Sequence, residues 1–281
     1  MSLPAHWYNL QLDASPGCLD RGYRYGDSLF ETLRYHQGKY HLLDYHLQRM
    51  CRGAEALGID CPQQALVDQL CVGADYLAEH AVEQACVRLV LSRGGCEGGY
   101  APTEAAANIS LTLTDIALSW GEQAAPAAVI CCETTLAAQP QLAGLKHSNR
   151  LEQVLAAREV AACGADEGLL LNASGELISA VSANVFAVFD GTLLTPPIVD
   201  SGVAGTVRRL ILEELAPAAG IEVAEEILPW ADLQQASEMF LCNALMGIRA
   251  VDNYPGHHFT CTALGDNLRQ EFFAWSNQLP S

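Results

Sequence analysis

The chain has 281 residues, half of them hydrophobic and only 17% charged, so it can bury a large core and is not a disordered chain. Its formal charge is −18, from 15 basic against 33 acidic residues, with no basic stripe; this argues against a nucleic-acid partner and leaves anion binding to a few local Arg, Lys and backbone N–H groups. Eleven cysteines, odd in number, scattered and without a CxxC, read mostly as small core residues of a chain in a reducing, cytoplasmic compartment, and no disulfide framework, metal site, secretory leader or membrane span is expected.

The first third reads as mixed α/β. Residues 29–35 and 39–43 have the length and apolar spacing of two strands around a turn at Gln37-Gly38. Asp44 predicts a helix cap, followed by the apolar stripe Leu47, Met50, Ala54 and Leu57 and a stop at Gly58. A second helix is predicted over 63–80 and buried strands over 85–91 and 109–114. The run WGEQAAP at 120–126 is polar, rich in small residues and ends in Pro, so it predicts a linker between a domain at 1–119 and a second at 127–281 that carries Lys146. Beyond it the pattern predicts a strand at 128–134, a helix at 149–162 and a strand at 167–171. A hairpin follows over 177–190, then a strand at 192–194 and a glycine loop at 202–205 feeding a helix at 206–215.

Only two lysines occur, Lys39 and Lys146. Lys146, in LAGLKHSNRLEQVLAA just before a helix, fits a solvated lysine at a helix start; it equally fits a Schiff-base lysine, whose amine must be partly desolvated to act as a nucleophile near neutral pH. The run SGVAGTVRRL (201–210) is either an ordinary glycine loop or one that aims backbone N–H groups and a helix dipole at an anion. Asn243, after the apolar run 239–242, fits a turn at a strand end.

Taken in order, RGYRYGDSLFETLR, LLDYHLQRM, LAGLKHSNRLEQVL, SANVF, LLTPPIVDSGVAGTVRR and EMFLCNALM resemble the fold-type IV pyridoxal-phosphate enzymes, from about residue 18 to about residue 250. That family holds branched-chain and D-amino-acid aminotransferases and aminodeoxychorismate lyases, and PQLAGLKHSNRLEQVL and EMFLCNALM look most like the lyases. The resemblance implies a two-domain α/β (α+β) fold, pyridoxal 5′-phosphate between the domains, a homodimer and a small anionic amine substrate. It places Lys146 as Schiff-base lysine and general base, and Arg49 on the cofactor phosphate. Gly205 and Thr206 fall on the phosphate loop and helix start, Asn243 on a further phosphate-side position, and Val203 against the pyridine ring. Arg93 becomes a candidate for a substrate carboxylate.

Two departures stand out. The family's glutamate opposite the pyridine nitrogen, five residues before the Asn of the xNxF motif, is Ser179 here; Glu176, three positions earlier, is expected on the opposite face of a regular strand. A second arginine that often follows in lyases is Gly98 in RGGCEGGY. A serine hydroxyl protonates the ring less than a carboxylate does, and a weaker electron sink suits an elimination better than a transamination. The expected activity is therefore elimination of pyruvate from 4-amino-4-deoxychorismate to give 4-aminobenzoate, a step of folate biosynthesis. The alternatives are an aminotransferase on D- or branched-chain amino acids and a degenerate paralogue that binds the cofactor without turnover.

Overall fold

The computed structural model describes residues 3–96, 99–102, 105–117 and 125–278, and counts below refer to these. The chain divides into two compact units: Met1–Trp120 with Leu145–Asn149, and Gly121–Gly144 with Arg150–Pro280. Lys146, expected in the second domain, therefore belongs to the first.

The first unit runs β1 (Ala5–Tyr8), β2 (Gln11–Leu12), α1 (Arg21–Tyr25), β3 (Ser28–His36), β4 (Lys39–Tyr40), α2 (Leu43–Leu57), α3 (Gln63–Glu79), β5 (Gln84–Ser92) and β6 (Asn108–Thr114). Its six-stranded sheet has the order β2-β1-β6-β5-β3-β4, with α2 against β3 and α3 against β6. The β3–β4 turn has Gln37 and Gly38 both at positive φ, as a two-residue type I′ turn requires. The second strand stops at Tyr40 rather than residue 43, because Leu42 turns left-handed (φ 58°) and starts α2 at Leu43. Asp44 is thus not the cap; it sits in the first helical turn, where a carboxylate favours the positive end of the dipole. Gly58 ends α2 as predicted, at φ 62°, its N–H bonded to the carbonyls of Ala54 and Glu55.

The second unit contains β7 (Ala127–Cys131), α4 (Leu151–Cys163), β8 (Glu167–Leu171), β9 (Glu176–Ala180), β10 (Asn184–Phe189), β11 (Thr192–Thr195), α5 (Thr206–Leu210), a π turn (Ile211–Leu215) and α6 (Ala216–Ala218). It continues through β12 (Val223–Glu225), β13 (Leu228–Pro229), a 3-10 turn (Trp230–Gln235), β14 (Glu238–Asn243), β15 (Gly247–Tyr254), β16 (His257–His258) and α7 (Ala263–Gln278). The sheet order is β12-β11-β10-β14-β15-β7-β8-β9-β13, with β16 on β15. The π turn ends where Ala216 N–H bonds to Ile211, next to Pro217, which cannot donate to the helical ladder.

Two local expectations change here. The strand predicted to residue 134 stops at Cys131, because the Glu159 carboxylate takes the N–H groups of Glu133 and Thr134 out of the ladder. The hairpin predicted over 177–190 does not form: β9 pairs with β8 and β13, and β10 pairs with β11 and β14. The reversals lie instead where turn chemistry permits, at the Asn172 side-chain turn ending in Gly175 and at Asp190-Gly191, whose φ values of 48° and 87° suit a type I′ turn.

Candidate functional site

In the first unit, Lys146 is held by backbone pairing to β3. β4 covers β3 only at Tyr35 and His36, which leaves that edge open at residues 28–30. The segment 146–148 fills it: Phe30 N–H donates to the Lys146 carbonyl (2.9 Å), Ser148 N–H to the Ser28 carbonyl (3.0 Å), and the Ser28 hydroxyl to that of Ser148 (2.7 Å). This fixes the Lys146 backbone while its half-buried side chain places Nζ 4.4 Å from the centroid of the Phe30 ring. Stem and amine are thus partly desolvated, as a nucleophilic lysine needs.

Alternation along β3 turns Glu31 to the face shared with Leu29 and Leu33, onto α2. There Arg49 Nε donates to Glu31 Oε1 (2.8 Å) and Arg49 Nη2 to Oε2, while His46 Nδ1 lies 2.5 Å from Oε2. Glu31 and His46 are each 1% exposed. Burial alone would raise the Glu31 carboxyl, but Arg49 and His46 more than offset it and hold it down to about 2. Burial pushes His46 below the usual imidazole range despite Glu31, with Arg49 and Lys146 pushing the same way. A neutral His46 donates Nδ1–H to Glu31 and carries its lone pair on Nε2, which is buried with no hydrogen-bond partner. Arg49, expected on a phosphate, is thus oriented from behind by Glu31. Glu31 and His46 were missed as site residues, although a core-facing carboxylate on a strand and an i, i+3 His–Arg pair on a helix were readable signals.

Arg93 is heavily engaged. It grips both oxygens of Asp27 (2.7 and 3.1 Å) and donates to the carbonyls of Leu57 (2.7 Å) and Gly58 (2.5 Å). Asp27 also accepts from Arg21 (2.7 Å), and the two guanidinium groups outweigh the upward effect of burial and lower its pKa. Arg93 therefore ties the α1–β3 turn to the end of α2, and any substrate contact must compete with these four bonds. Gly98 lies outside the described residues.

In the second unit, a glycine loop leads into α5. Asn184 Nδ2 donates to the Val203 carbonyl (3.0 Å), and residue 203 bridges to Gly144, so the loop is pinned from both sides. Gly205 has no tolerance for a side chain: a Cβ there would stand 1.9 Å from Asn184 Oδ1. Gly205 is the helix N-cap, with no side-chain cap bond, and Thr206 behind it is buried. The helix start thus presents backbone donors that no capping side chain covers, a chemistry that fits a phosphate. Glu167 fixes the approach to Asn184 by accepting from the Ser182 hydroxyl and, at 3.3 Å, its N–H. Asn243 holds the β14–β15 turn, as its place at a strand end predicts, accepting from Leu245 and Met246 N–H (3.0 and 2.9 Å) and donating to the Ser182 carbonyl (3.2 Å). We expect Gly205→Ala to cost about 1–3 kcal/mol by overpacking and to weaken phosphate-cofactor binding at least about tenfold. Thermal unfolding with and without pyridoxal 5′-phosphate checks both, and an unchanged cofactor affinity refutes the loop's role.

Ser179 is buried on β9 opposite Leu170. The register slips between Leu170 and Leu171, skipping Ile178, so β9 carries one extra residue. Leu177 and Ala180 consequently share one core while Ile178 and Leu170 share another. The bulge reverses the parity on which Glu176 was expected to face away: Glu176 and Ser179 lie on the same face. Glu176 is nevertheless held at the hairpin end, where it accepts from Asn172 Nδ2 (2.7 Å). Among the described residues no cluster of three or more His, Cys, Asp or Glu could hold a metal, and no helix is long and apolar enough to cross a membrane.

The model of the family described as amino-transferase class IV matches residues 28–254. An aminodeoxychorismate lyase of Vibrio harveyi is 34% identical over 238 residues, covering 83% of this chain and 84% of its own. A putative branched-chain-amino-acid aminotransferase of Methanocaldococcus jannaschii is 30% identical over 269 residues, covering 92% and 91%. The crystal structure of 4-amino-4-deoxychorismate lyase from Pseudomonas aeruginosa superposes with a TM-score of 0.86 at 35% identity, covering 96% of this chain and 98% of its own.

Proposed function

The chain belongs to the class IV amino-transferase family, whose enzymes use pyridoxal 5′-phosphate, and from that premise we propose that it is a 4-amino-4-deoxychorismate lyase. The observation that carries this reading is the similarity to two lyases at 34% and 35% identity over most of both chains. Ser179, buried at the position that the resemblance assigns to the ring nitrogen, supports it chemically, since a hydroxyl in place of a carboxylate would leave that nitrogen less basic. Mixing the purified protein with aminodeoxychorismate tests it: 4-aminobenzoate and pyruvate should appear in equal amounts. Net transfer of the amino group to a keto acid instead would favour the aminotransferase reading, which the 30% identical archaeal relative supports. No turnover of either kind, with cofactor bound, would leave a non-catalytic binder.

When bound, the cofactor supplies the electron sink. Lys146 would hold the cofactor through its amine, and the same Nζ would be the base that takes the proton from the substrate's amine-bearing carbon. The pairing of 146–148 with β3 fixes the Lys146 backbone, so that only its side chain would need to move. Backbone N–H groups at Gly205 and Thr206 would offer donors to the phosphate, and Arg49, whose angle Glu31 sets, would offer a guanidinium to the same kind of anion. Val203 would offer an apolar side chain to the ring.

Ser179→Glu should raise side transamination relative to elimination by up to about tenfold for each unit of added ring basicity. Both products measured from one substrate, with the cofactor spectrum, decide this; an unchanged ratio and spectrum remove the chemical argument for the lyase. We propose further that the enzyme works as a cytoplasmic homodimer. Leu151, Val154 and Leu155 lie exposed on one face of α4 at 79%, 54% and 48%, an apolar stripe suited to being covered. Sedimentation should give twice the chain mass, and a fully active monomer at micromolar concentration would refute it.

A further inference from the structure

Cys51 lies two residues after Arg49 on α2, and Cys61 follows the Gly58 turn that ends this helix. Their sulfurs are 3.0 Å apart, one thiol donating to the other. A disulfide is about 2.05 Å long, so bond formation asks for a shift of only about 1 Å. Both residues are half-buried, but differently. Cys51 lines a surface groove of about 450 Å³ together with Asp44, Leu47, Gln48, Arg52 and Gln63, whereas Cys61 packs against the apolar core beneath.

We propose that Cys51 and Cys61 form a reactive dithiol, entered at Cys51 by low-molecular-weight disulfides and closing into an intramolecular disulfide that staples the end of α2 to the segment leading into α3. The thiolate of Cys51 attacks one sulfur of the reagent RSSR, forming Cys51–S–SR and releasing RS⁻, which takes a proton from water. Cys61 then attacks the Cys51 sulfur, expelling the second RS⁻, which takes the proton that Cys61 releases. Two protein thiols are oxidised and one RSSR is reduced to two RSH. Burial, then the hydrogen bond and charge of Cys51, push the Cys61 thiol up to about 12. Cys61 thus stays protonated while Cys51 is reduced, and derivatising Cys51 removes its share of that push. The order of reaction follows: the groove-side sulfur first, the core-side sulfur as resolver.

The test treats the intact protein with excess glutathione disulfide at neutral pH, alkylates the remaining thiols and maps the peptides. In the wild type, Cys51 and Cys61 should be found linked, with two hydrogens lost and no glutathione retained there. Cys61→Ser should hold glutathione at Cys51, and Cys51→Ser should leave Cys61 unmodified. A wild type that keeps a lasting mixed disulfide at Cys51, or alkylates fully at both positions, overturns the proposal, as does glutathione on Cys61 in Cys51→Ser. A second readout needs no oxidant: equimolar phenylarsine oxide, which bridges two adjacent thiols, should protect both cysteines from alkylation. Unprotected thiols there show that the sulfurs are not neighbours in solution.

Discussion

Lys146→Ala should give a folded, colourless protein with kcat lowered at least about 10³-fold, the scale at which a general base contributes. The wild type should be yellow, and borohydride should fix the cofactor on Lys146. The stability change should be small, because the side chain is half-buried and its cation–π contact with Phe30 is worth about 0.5–1 kcal/mol. The β3 edge pairing runs through the backbone of 146–148, so alanine leaves it in place. This contrast separates a chemical role from a structural one. Lys146→Arg keeps a cation over Phe30 yet lacks the primary amine, so it should lose as much activity as alanine. Retention of more than a few per cent of activity, or of a reducible cofactor bond, in either variant would place the anchor elsewhere.

Glu31→Gln is the substitution expected to cost most in stability. It removes the carboxylate that both Arg49 and His46 address and faces the Arg49 donors with a neutral amide, leaving a buried cation without its counter-charge. Breaking a buried pair this way costs about 3–5 kcal/mol, or roughly 10 °C in melting temperature for a chain of this size. Adding Arg49→Met should recover part of the loss, because the stranded charge is then gone; additive losses would show that the pair is not coupled. Cofactor affinity should fall in Glu31→Gln as well, since Arg49 loses its fixed angle. The same cluster sets an acid limit. His46 is depressed in the folded state, so its contribution is complete above its ordinary value of 6.5 and declines as pH falls below it. Glu31, held down to about 2 against an ordinary 4.5, contributes about 3 kcal/mol above pH 4.5 that disappears as pH falls towards 2. Denaturant unfolding should show a decline below pH 6.5 in both proteins, from His46, and between pH 4.5 and pH 3 a further loss in the wild type that Glu31→Gln lacks; no extra wild-type loss over that lower range would contradict this assignment.

Local chemistry in the sequence settled where the chain could turn and which way it ran between turns. Gln37-Gly38, Gly58 and Asp190-Gly191 adopt the positive φ values that their residue types tolerate, and the apolar stripe of 47–57 packs as a helix face. The scarcity of lysine singled out Lys146, and the glycines at 202 and 205 marked the loop before α5. What only tertiary structure decided were relations between distant residues. Lys146 joins the first unit because a short β4 leaves an edge of β3 open, and hydrogen bonds from Phe30 to Lys146 and from Ser148 to Ser28 satisfy it; backbone donors have no residue code, so no sequence pattern announces that pairing. Arg93 and Asn243 carry side chains suited to anions, yet the structure commits one to Asp27 and two helix-end carbonyls and the other to a turn. Glu176 was expected away from Ser179 on simple strand parity, and one unpaired residue at the β9 bulge inverted that relation. Parity along a strand holds only while the register does, and register is set by the neighbouring strand rather than by the residues themselves.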